Sequence, residues 1–232
     1  MFMHARVIAY THSPSLTGHA DTHTRTMQIG TAAEGVPALA AAKDFAALVA
    51  LMREHPADPV VARAVCKELG NLAYGNNANK QAIGAAGGAE VVVLALKQHL
   101  AVASVAEWAS GAAASLAANN DANQAALAAA GGIEALTAVL REHAANAEVM
   151  QYACGALYTI GASDRALQKR IWEAGAEPVV RAAVNAPDAT ADTREEGQRL
   201  LDKLAEVSVC VECGCVYTRA PVPAMASVSE YV

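Results

Sequence analysis

The feature that most constrains this chain is a repeat with a step of 44 residues. Repeats of this length are typical of stacked helical units, and they exclude coiled-coil heptads and leucine-rich repeats. Glycines, valines and histidines all follow the step, at Gly87-Gly88, Gly131-Gly132 and Gly175, at Val61, Val105 and Val149, and at His55, His99 and His143. Alanine-rich composition does not explain matches in so many residue types, so we predict a repeat protein.

The composition indicates that the repeated units are helical. Hydrophobic residues make up 54% of the chain and aromatic residues only 4%. The difference is largely alanine, which has the highest helix propensity. A net charge of −6 argues against a nucleic-acid partner, because phosphates are neutralised by lysine and arginine. The sequence contains no apolar run long enough for a membrane span.

Each unit is predicted to contain three helices. In the unit at 120–162, the first helix covers 122–130, follows Asn120 or Asp121 as its N-cap and ends at Gly131-Gly132. The second covers 133–143 and the third about 148–160, both with apolar residues at helical spacing. Because one unit cannot bury its own apolar face, we predict an all-α, right-handed solenoid of about 3.5–4 units.

Two of the third helices carry start signals of their own. Asp58-Pro59 is a cap residue followed by a proline at the first helical position. Ser104-Val105-Ala106-Glu107 has the pattern of a capping box. Both patterns predict where a third helix begins.

The repeat divides the chain into three parts. Residues 1–31 are predicted to be a disordered extension or, because Arg, Ser and Thr outnumber acids there, an organelle transit peptide. The repeat domain covers 32–206, with units near 32–75, 76–119, 120–162 and 163–206. Residues 207–232 are predicted to be a flexible, cysteine-containing tail, with a strand-like pattern at 207–218.

The repeats resemble the armadillo repeat family. The strings NANKQAIGAAGGAEVVVLALKQH and NQAALAAAGGIEALTAVLREH are similar to the family's first and second helices around a Gly-Gly turn. The string AVCKELGNLA is similar to its third helix. The resemblance covers about residues 40–206. It implies that the third helices line a concave groove, in which a protein partner binds as an extended peptide.

The resemblance also implies roles for particular positions. Import receptors and catenins use an asparagine near the end of each third helix to bond the peptide backbone. Asn71 matches this position, and the other units carry Ser115, Thr159 and Lys203. Import receptors place tryptophan one turn earlier, where this sequence has Lys67, Gly111, Gly155 and Arg199.

Helical geometry predicts which side chains line such a groove, because residues four apart share one helix face. The rows are Arg63, Lys67 and Asn71; Glu107, Gly111 and Ser115; Gln151, Gly155 and Thr159; and Glu195, Arg199 and Lys203, with Trp108 and Tyr152 beside them. The sequence therefore predicts a shallow groove that is open at the glycines, basic at its ends and anchored by two aromatic residues. The alternative is a solvated face with two half-buried aromatic residues.

Histidines and cysteines are the candidates for metal chemistry. His55, His99 and His143 each end a second helix, about one repeat apart, which is too far to share a zinc ion. We predict that they meet exposed carbonyls at the helix ends. Cys210, Cys213 and Cys215 have the spacing of thiolate ligands but no evident fourth ligand, so they are weak metal candidates, and no cofactor is predicted.

These features predict a non-enzymatic scaffold for protein–protein interaction, located in the cytoplasm or alternatively in the nucleus or an organelle. The partner is a protein or an extended peptide segment. One alternative is an accessory subunit of an enzyme or chaperone system, which requires a deep pocket with convergent polar groups. Others are an import-receptor-like binder of signal peptides and a fragment of a longer scaffold. The sequence does not predict the oligomeric state.

Overall fold

The computed structural model describes residues 22–187, 189–205, 208–210 and 215–217. The helices in these ranges are α1 (Thr22–Ala42), α2 (Phe45–Glu54), α3 (Pro59–Ala73), α4 (Asn77–Ala85), α5 (Gly88–Gln98), α6 (Ala103–Ala117), α7 (Asp121–Ala129), α8 (Gly132–Glu142), α9 (Ala147–Ile160), α10 (Arg165–Glu173), α11 (Ala176–Val184) and α12 (Ala191–Ala205). Two short strands follow, β1 (Ser208–Cys210) and β2 (Cys215–Tyr217), and they pair antiparallel.

The helices form the predicted stack of three-helix units. Units two, three and four each comprise a short first helix, a second helix and a third helix, namely α4–α6, α7–α9 and α10–α12. The first unit consists of α2 and α3, and α1 packs against both. The third helices lie side by side, with α3 against α6, α6 against α9 and α9 against α12.

Side-chain caps fix the starts of most helices. Asp58 accepts hydrogen bonds from the backbone of α3, and Pro59 is the first residue of that helix, as predicted. Asn120 caps α7, which confirms one of the two predicted N-caps. The capping box predicted at 104–107 is wrong: α6 begins at Ala103, and its N-cap residue Val102 provides no side-chain bond.

The turns between first and second helices need glycine for two reasons. Gly87, Gly131 and Gly175 have φ angles of +89°, +86° and +75°, in the left-handed region that favours glycine. A Cβ on Gly132, the next residue in its turn, would lie 2.7 Å from the backbone oxygen of Leu127. The Gly-Gly pairs therefore satisfy a backbone conformation and a close approach of consecutive helices.

Small residues let the third helices pack closely. The side of α6 that faces its neighbours is largely alanine, and Ala109, Ala112 and Ala113 are fully or almost fully buried. A Cβ on Gly70 of α3 would lie 3.2 Å from the Cα of Ala112, which is tighter than most such contacts. The alanine content of the sequence thus produces closely packed stacked helices.

Polar bonds also join consecutive units, and we call each boundary between units a junction. At the first two junctions a histidine ring donates to a carbonyl of the preceding unit. His99 Nε2 lies 2.9 Å from the oxygen of Pro56, and His143 Nε2 lies 2.7 Å from the oxygen of Leu100. His99 and His143 lie at helix ends and meet carbonyls, as predicted, and the structure adds that these carbonyls belong to the preceding unit.

The last unit differs from the others on its outer face. Three residues on the outer face of α12 are exposed, namely Arg194, Gln198 and Asp202. By the repeat they correspond to Met150, Cys154 and Tyr158 of α9. Gln198 Nε2 donates to Asp202 Oδ1 over 2.7 Å. A polar outer face of this kind is how repeat stacks present their terminal units to water.

Candidate functional site

The four third helices place the predicted groove residues on one continuous surface, which we call the third-helix face. It consists of Arg63, Lys67 and Asn71 on α3; Glu107, Trp108, Gly111 and Ser115 on α6; Gln151, Tyr152, Gly155 and Thr159 on α9; and Glu195 and Arg199 on α12. All of these residues are exposed or half-buried. The side-by-side packing of their helices brings the rows predicted from sequence next to one another.

Side chains of neighbouring third helices meet across the face in a register that the repeat step does not predict. The Lys67 ammonium lies 5.4 Å from the ring centroid of Trp108, within the range of a cation–π contact. Tyr152 lies over Gly111, where a Cβ would be 3.5 Å from the ring. Each residue thus contacts the residue 41 positions later, three fewer than the repeat step.

This register corrects the prediction that the groove is open at its glycines. The space beside Gly111 is covered by Tyr152, and Glu196 approaches Gly155, where a Cβ would lie 3.6 Å from its carboxylate. Because glycine has no side chain, a side chain of the next third helix packs directly against the glycine backbone. Tyr152 nevertheless stays 41% exposed, so one side of its ring faces solvent.

The basic end predicted on α12 is also different from expectation, because its arginine is engaged. Arg199 stacks on Tyr158 with 4.4 Å between the guanidinium carbon and the ring centroid. It also donates to Glu196 over 2.7 Å. Its hydrogen bond with Tyr158, together with the nearby Glu196, raises the pKa of Arg199. Tyr158 was missed because it lies outside the predicted rows.

The residues near the ends of the third helices differ in how freely they can hydrogen-bond to a ligand. Asn71 is exposed and Ser115 is half-buried. The Thr159 hydroxyl donates within its own helix and lies 3.0 Å from the oxygen of Gly155. Tyr74, one turn beyond Asn71, is 81% exposed and was not predicted. Its position in the cap after α3 was the available signal.

The cysteines divide into two groups. Cys66 and Cys154 are buried within the stack, and burial raises the pKa of each thiol to about 12, with Glu196 adding to the effect at Cys154. Unreactive, protonated thiols of this kind are packing residues. Of the metal candidates, Cys210 and Cys215 lie opposite each other in β1 and β2, and Cys213 lies outside the described residues. Within the described ranges, no group of histidine, cysteine and acidic residues could hold a metal ion.

A crevice of about 270 Å³ opens at the third junction. Its lining consists mainly of alanine, together with Met150 and Thr193. Pro187 stands here at the position that His99 and His143 occupy in earlier units. The crevice is lined by Ala144, which corresponds by the repeat to Leu100, the residue whose carbonyl accepts from His143. It lacks the convergent polar groups of an enzyme site.

Comparisons with known proteins identify the fold. No protein-family model and no curated protein sequence matches the chain. Among solved structures, an engineered protein is 29% identical, with a TM-score of 0.62. The match covers 74% of this chain and 66% of the engineered protein. A designed armadillo repeat protein is 24% identical with a TM-score of 0.62, covering 80% of this chain and 78% of its own.

A third structure, of computationally designed armadillo repeat proteins for modular peptide recognition, is 23% identical with a TM-score of 0.62 and covers 80% of this chain and 77% of its own. These similarities confirm that the chain has an armadillo-like, all-helical repeat fold. In addition, no helix in the described parts of the chain is both long and apolar enough to span a membrane.

Proposed function

We propose that the chain is a non-catalytic binding scaffold whose third-helix face holds an extended segment of a partner protein. The observation that carries this proposal is the aromatic pair at the middle of the face. Tyr152 is 41% exposed and lies over Gly111, beside the half-buried Trp108. Large aromatic side chains held rigidly on a surface are the residues that most often dominate binding energies.

The shape of the face supports an extended occupant. The third helices present shallow rows of small and polar side chains rather than an enclosed pocket. An extended segment can cross several helices in succession and contact each of them. The designed armadillo repeat proteins for modular peptide recognition share this fold, which supports peptide binding as its use here.

Panning a random peptide library displayed on phage tests this proposal and does not require the natural partner. The wild-type chain should enrich specific peptides, and Trp108→Ala with Tyr152→Ala should abolish their binding while circular dichroism stays helical. Trp172→Ala is the matched control, because it removes a half-buried tryptophan of α10 that lies away from the face. Retained binding by the double variant, or equal loss in the control, would contradict the proposal.

The same library addresses the alternative of a signal-peptide receptor. Import-type signals are basic, so that alternative requires enriched peptides rich in lysine and arginine. Asn71 supports it at one position only, since Ser115 and Thr159 replace asparagine at the next two. Peptides of any other composition would exclude this alternative and leave the binding scaffold intact.

A further inference from the structure

The charges on the third-helix face are unevenly distributed between its two ends. On α3, Arg63 and Lys67 are both exposed and one turn apart. On α12, Arg199 is engaged by Glu196 and Tyr158, and Glu195 is exposed beside them. The cations of the α3 end are thus available to a ligand, whereas the arginine of the α12 end is satisfied within the protein.

The acidic residues near the α3 end do not neutralise these cations. Glu107 stands on α6 in the same row as Arg63, and Glu68 is half-buried on α3 itself. Among the residues that the structure describes, neither forms an ion pair with Arg63 or Lys67. Within the described part of the chain, the two exposed cations are therefore able to bind a carboxylate of a ligand.

The contact between Lys67 and Trp108 gives one of these cations a fixed position. The ammonium lies 5.4 Å from the ring centroid, so the ring restrains a flexible side chain while leaving its charge intact. A cation that is held in place loses less conformational entropy when it binds a carboxylate. Tyr152 lies over Gly111, one turn along α6 from Trp108, so charged and aromatic contacts are neighbours on the face.

From this arrangement we infer that the occupant is an acidic–aromatic or acidic–aliphatic segment. Its carboxylate side chain pairs with Arg63 and Lys67, and its apolar side chain packs on Trp108 and Tyr152. Packed helices are roughly 8–10 Å apart and an extended chain advances about 3.3 Å per residue. The step from α3 to α6 thus takes about three residues and the step from α3 to α9 about five or six. An apolar residue that packs between Trp108 and Tyr152 is therefore about four positions from the acidic one, and this even spacing also places both on one side of the strand. This inference rests on the proposed function.

Charge reversal on the face tests the inference, with the composition of peptides from the phage library as the measurement. Wild-type chain should enrich peptides with aspartate or glutamate about four positions from a large apolar residue. The variant Arg63→Glu with Lys67→Glu should instead enrich lysine or arginine at that position. A selected acidic peptide should bind the variant at least about tenfold more weakly, and its binding to wild type should weaken as salt screens the charges.

The matched control is Arg165→Glu with Lys169→Glu on α10, which changes the net charge equally at exposed positions away from the face. It should leave the acidic preference unchanged. If charge reversal unfolds the chain, Arg63→Gln with Lys67→Gln replaces it and should remove the acidic preference without creating a basic one. Circular dichroism and thermal melting check the folding of each variant.

The possible results separate the two proposals. Enriched peptides that show no acidic preference, or the same preference in wild type and charge-reversed variant, overturn this inference and leave the binding face intact. Failure of the wild-type chain to enrich any peptide overturns the proposed function as well. Equal loss of acidic-peptide binding in the α10 control would show a general charge effect and would also overturn the inference.

Discussion

The first two junctions and the third all pack through their third helices but differ in their polar contacts. At the first two, a histidine ring donates to a carbonyl of the preceding unit, and His99 is buried. At the third, Pro187 replaces the histidine. That junction has a hydrogen bond from the buried Thr193 hydroxyl to the oxygen of Ala147 over 3.3 Å. Its other polar contacts are charged, Arg170 with Glu134 over 2.9 Å and Arg199 with Tyr158, and these arginines are 40% and 46% exposed.

The difference shows that units of similar structure can be joined by contacts that stabilise the stack to different degrees. Exposed ion pairs contribute little to stability, whereas a hydrogen bond to a half-buried carbonyl is costly to remove. In stacked repeats the total stability is approximately a sum of unit and junction contributions. We therefore expect α10–α12 to open before the rest of the stack, and the following predictions test that expectation from the largest effect to the smallest.

The largest effect is expected from pH. Burial holds the pKa of Cys66 and Cys154 at about 12 in the folded chain, against 9.0 ordinarily. The unfolded thiols ionise first, so the stability of the fold is fully present below pH 9 and falls as the pH rises toward 12. At about pH 10.5 the loss is about 2 kcal/mol per thiol in the free energy of unfolding, measurable by urea titration.

Substituting one buried cysteine at a time shows how much of the loss of stability at high pH comes from each thiol. Cys66→Ala and Cys154→Ala should each remove about half of the cysteine-dependent slope. A Cys154→Ala variant with an unchanged slope would mean that this thiol already ionises near its ordinary pKa in the native chain. In that case the third junction would be open, rather than merely less stable than the other two.

Loss of a junction histidine is the next largest effect. His143→Ala leaves the carbonyl of Leu100 without its donor and should lower the free energy of unfolding by about 1–2 kcal/mol. His55→Ala is the matched control, because the His55 ring, unlike those of His99 and His143, forms no hydrogen bond within the described part of the chain. A control variant as unstable as His143→Ala would show that the histidine ring matters by packing alone.

Tyr158 tests the contacts that hold the last unit. Tyr158→Ala removes the ring beneath Arg199 and should destabilise α10–α12 by about 1 kcal/mol. Tyr158→Phe keeps the ring and should cost less. Hydrogen exchange should rise in the last unit and stay unchanged in α4–α6, and a uniform increase along the chain would refute the local role.

Salt should produce the smallest effect. At about 1 M ionic strength the screening length falls to roughly 3 Å, which weakens exposed charge pairs more than the partly buried histidine hydrogen bonds of the first two junctions. Exchange in α10–α12 should therefore increase by a factor of a few relative to α4–α9. An equal response in both regions would indicate that charged contacts do not distinguish the third junction.

The sequence predicted the elements of the fold because their signals are local. Asp58-Pro59 and the left-handed Gly131 lie where helix caps and turns require them. Contacts between units could not be read in the same way. The step of 44 residues makes Trp108 equivalent to Ala64, whereas in the structure the Trp108 ring contacts Lys67. The acceptors of His99 and His143 were missed for the same reason, because the repeat step does not specify how one unit lies on the next.

The most direct test of the central claim is hydrogen exchange of the wild-type chain with and without a library-selected peptide. If the third-helix face is the binding surface, the bound peptide protects α3, α6 and α9 and leaves α8 and α11 unchanged. Arg141 of α8 and Val179 of α11 line a second crevice at the third junction, which is the competing site. Protection confined to α8 and α11, with none on the third helices, would contradict the account.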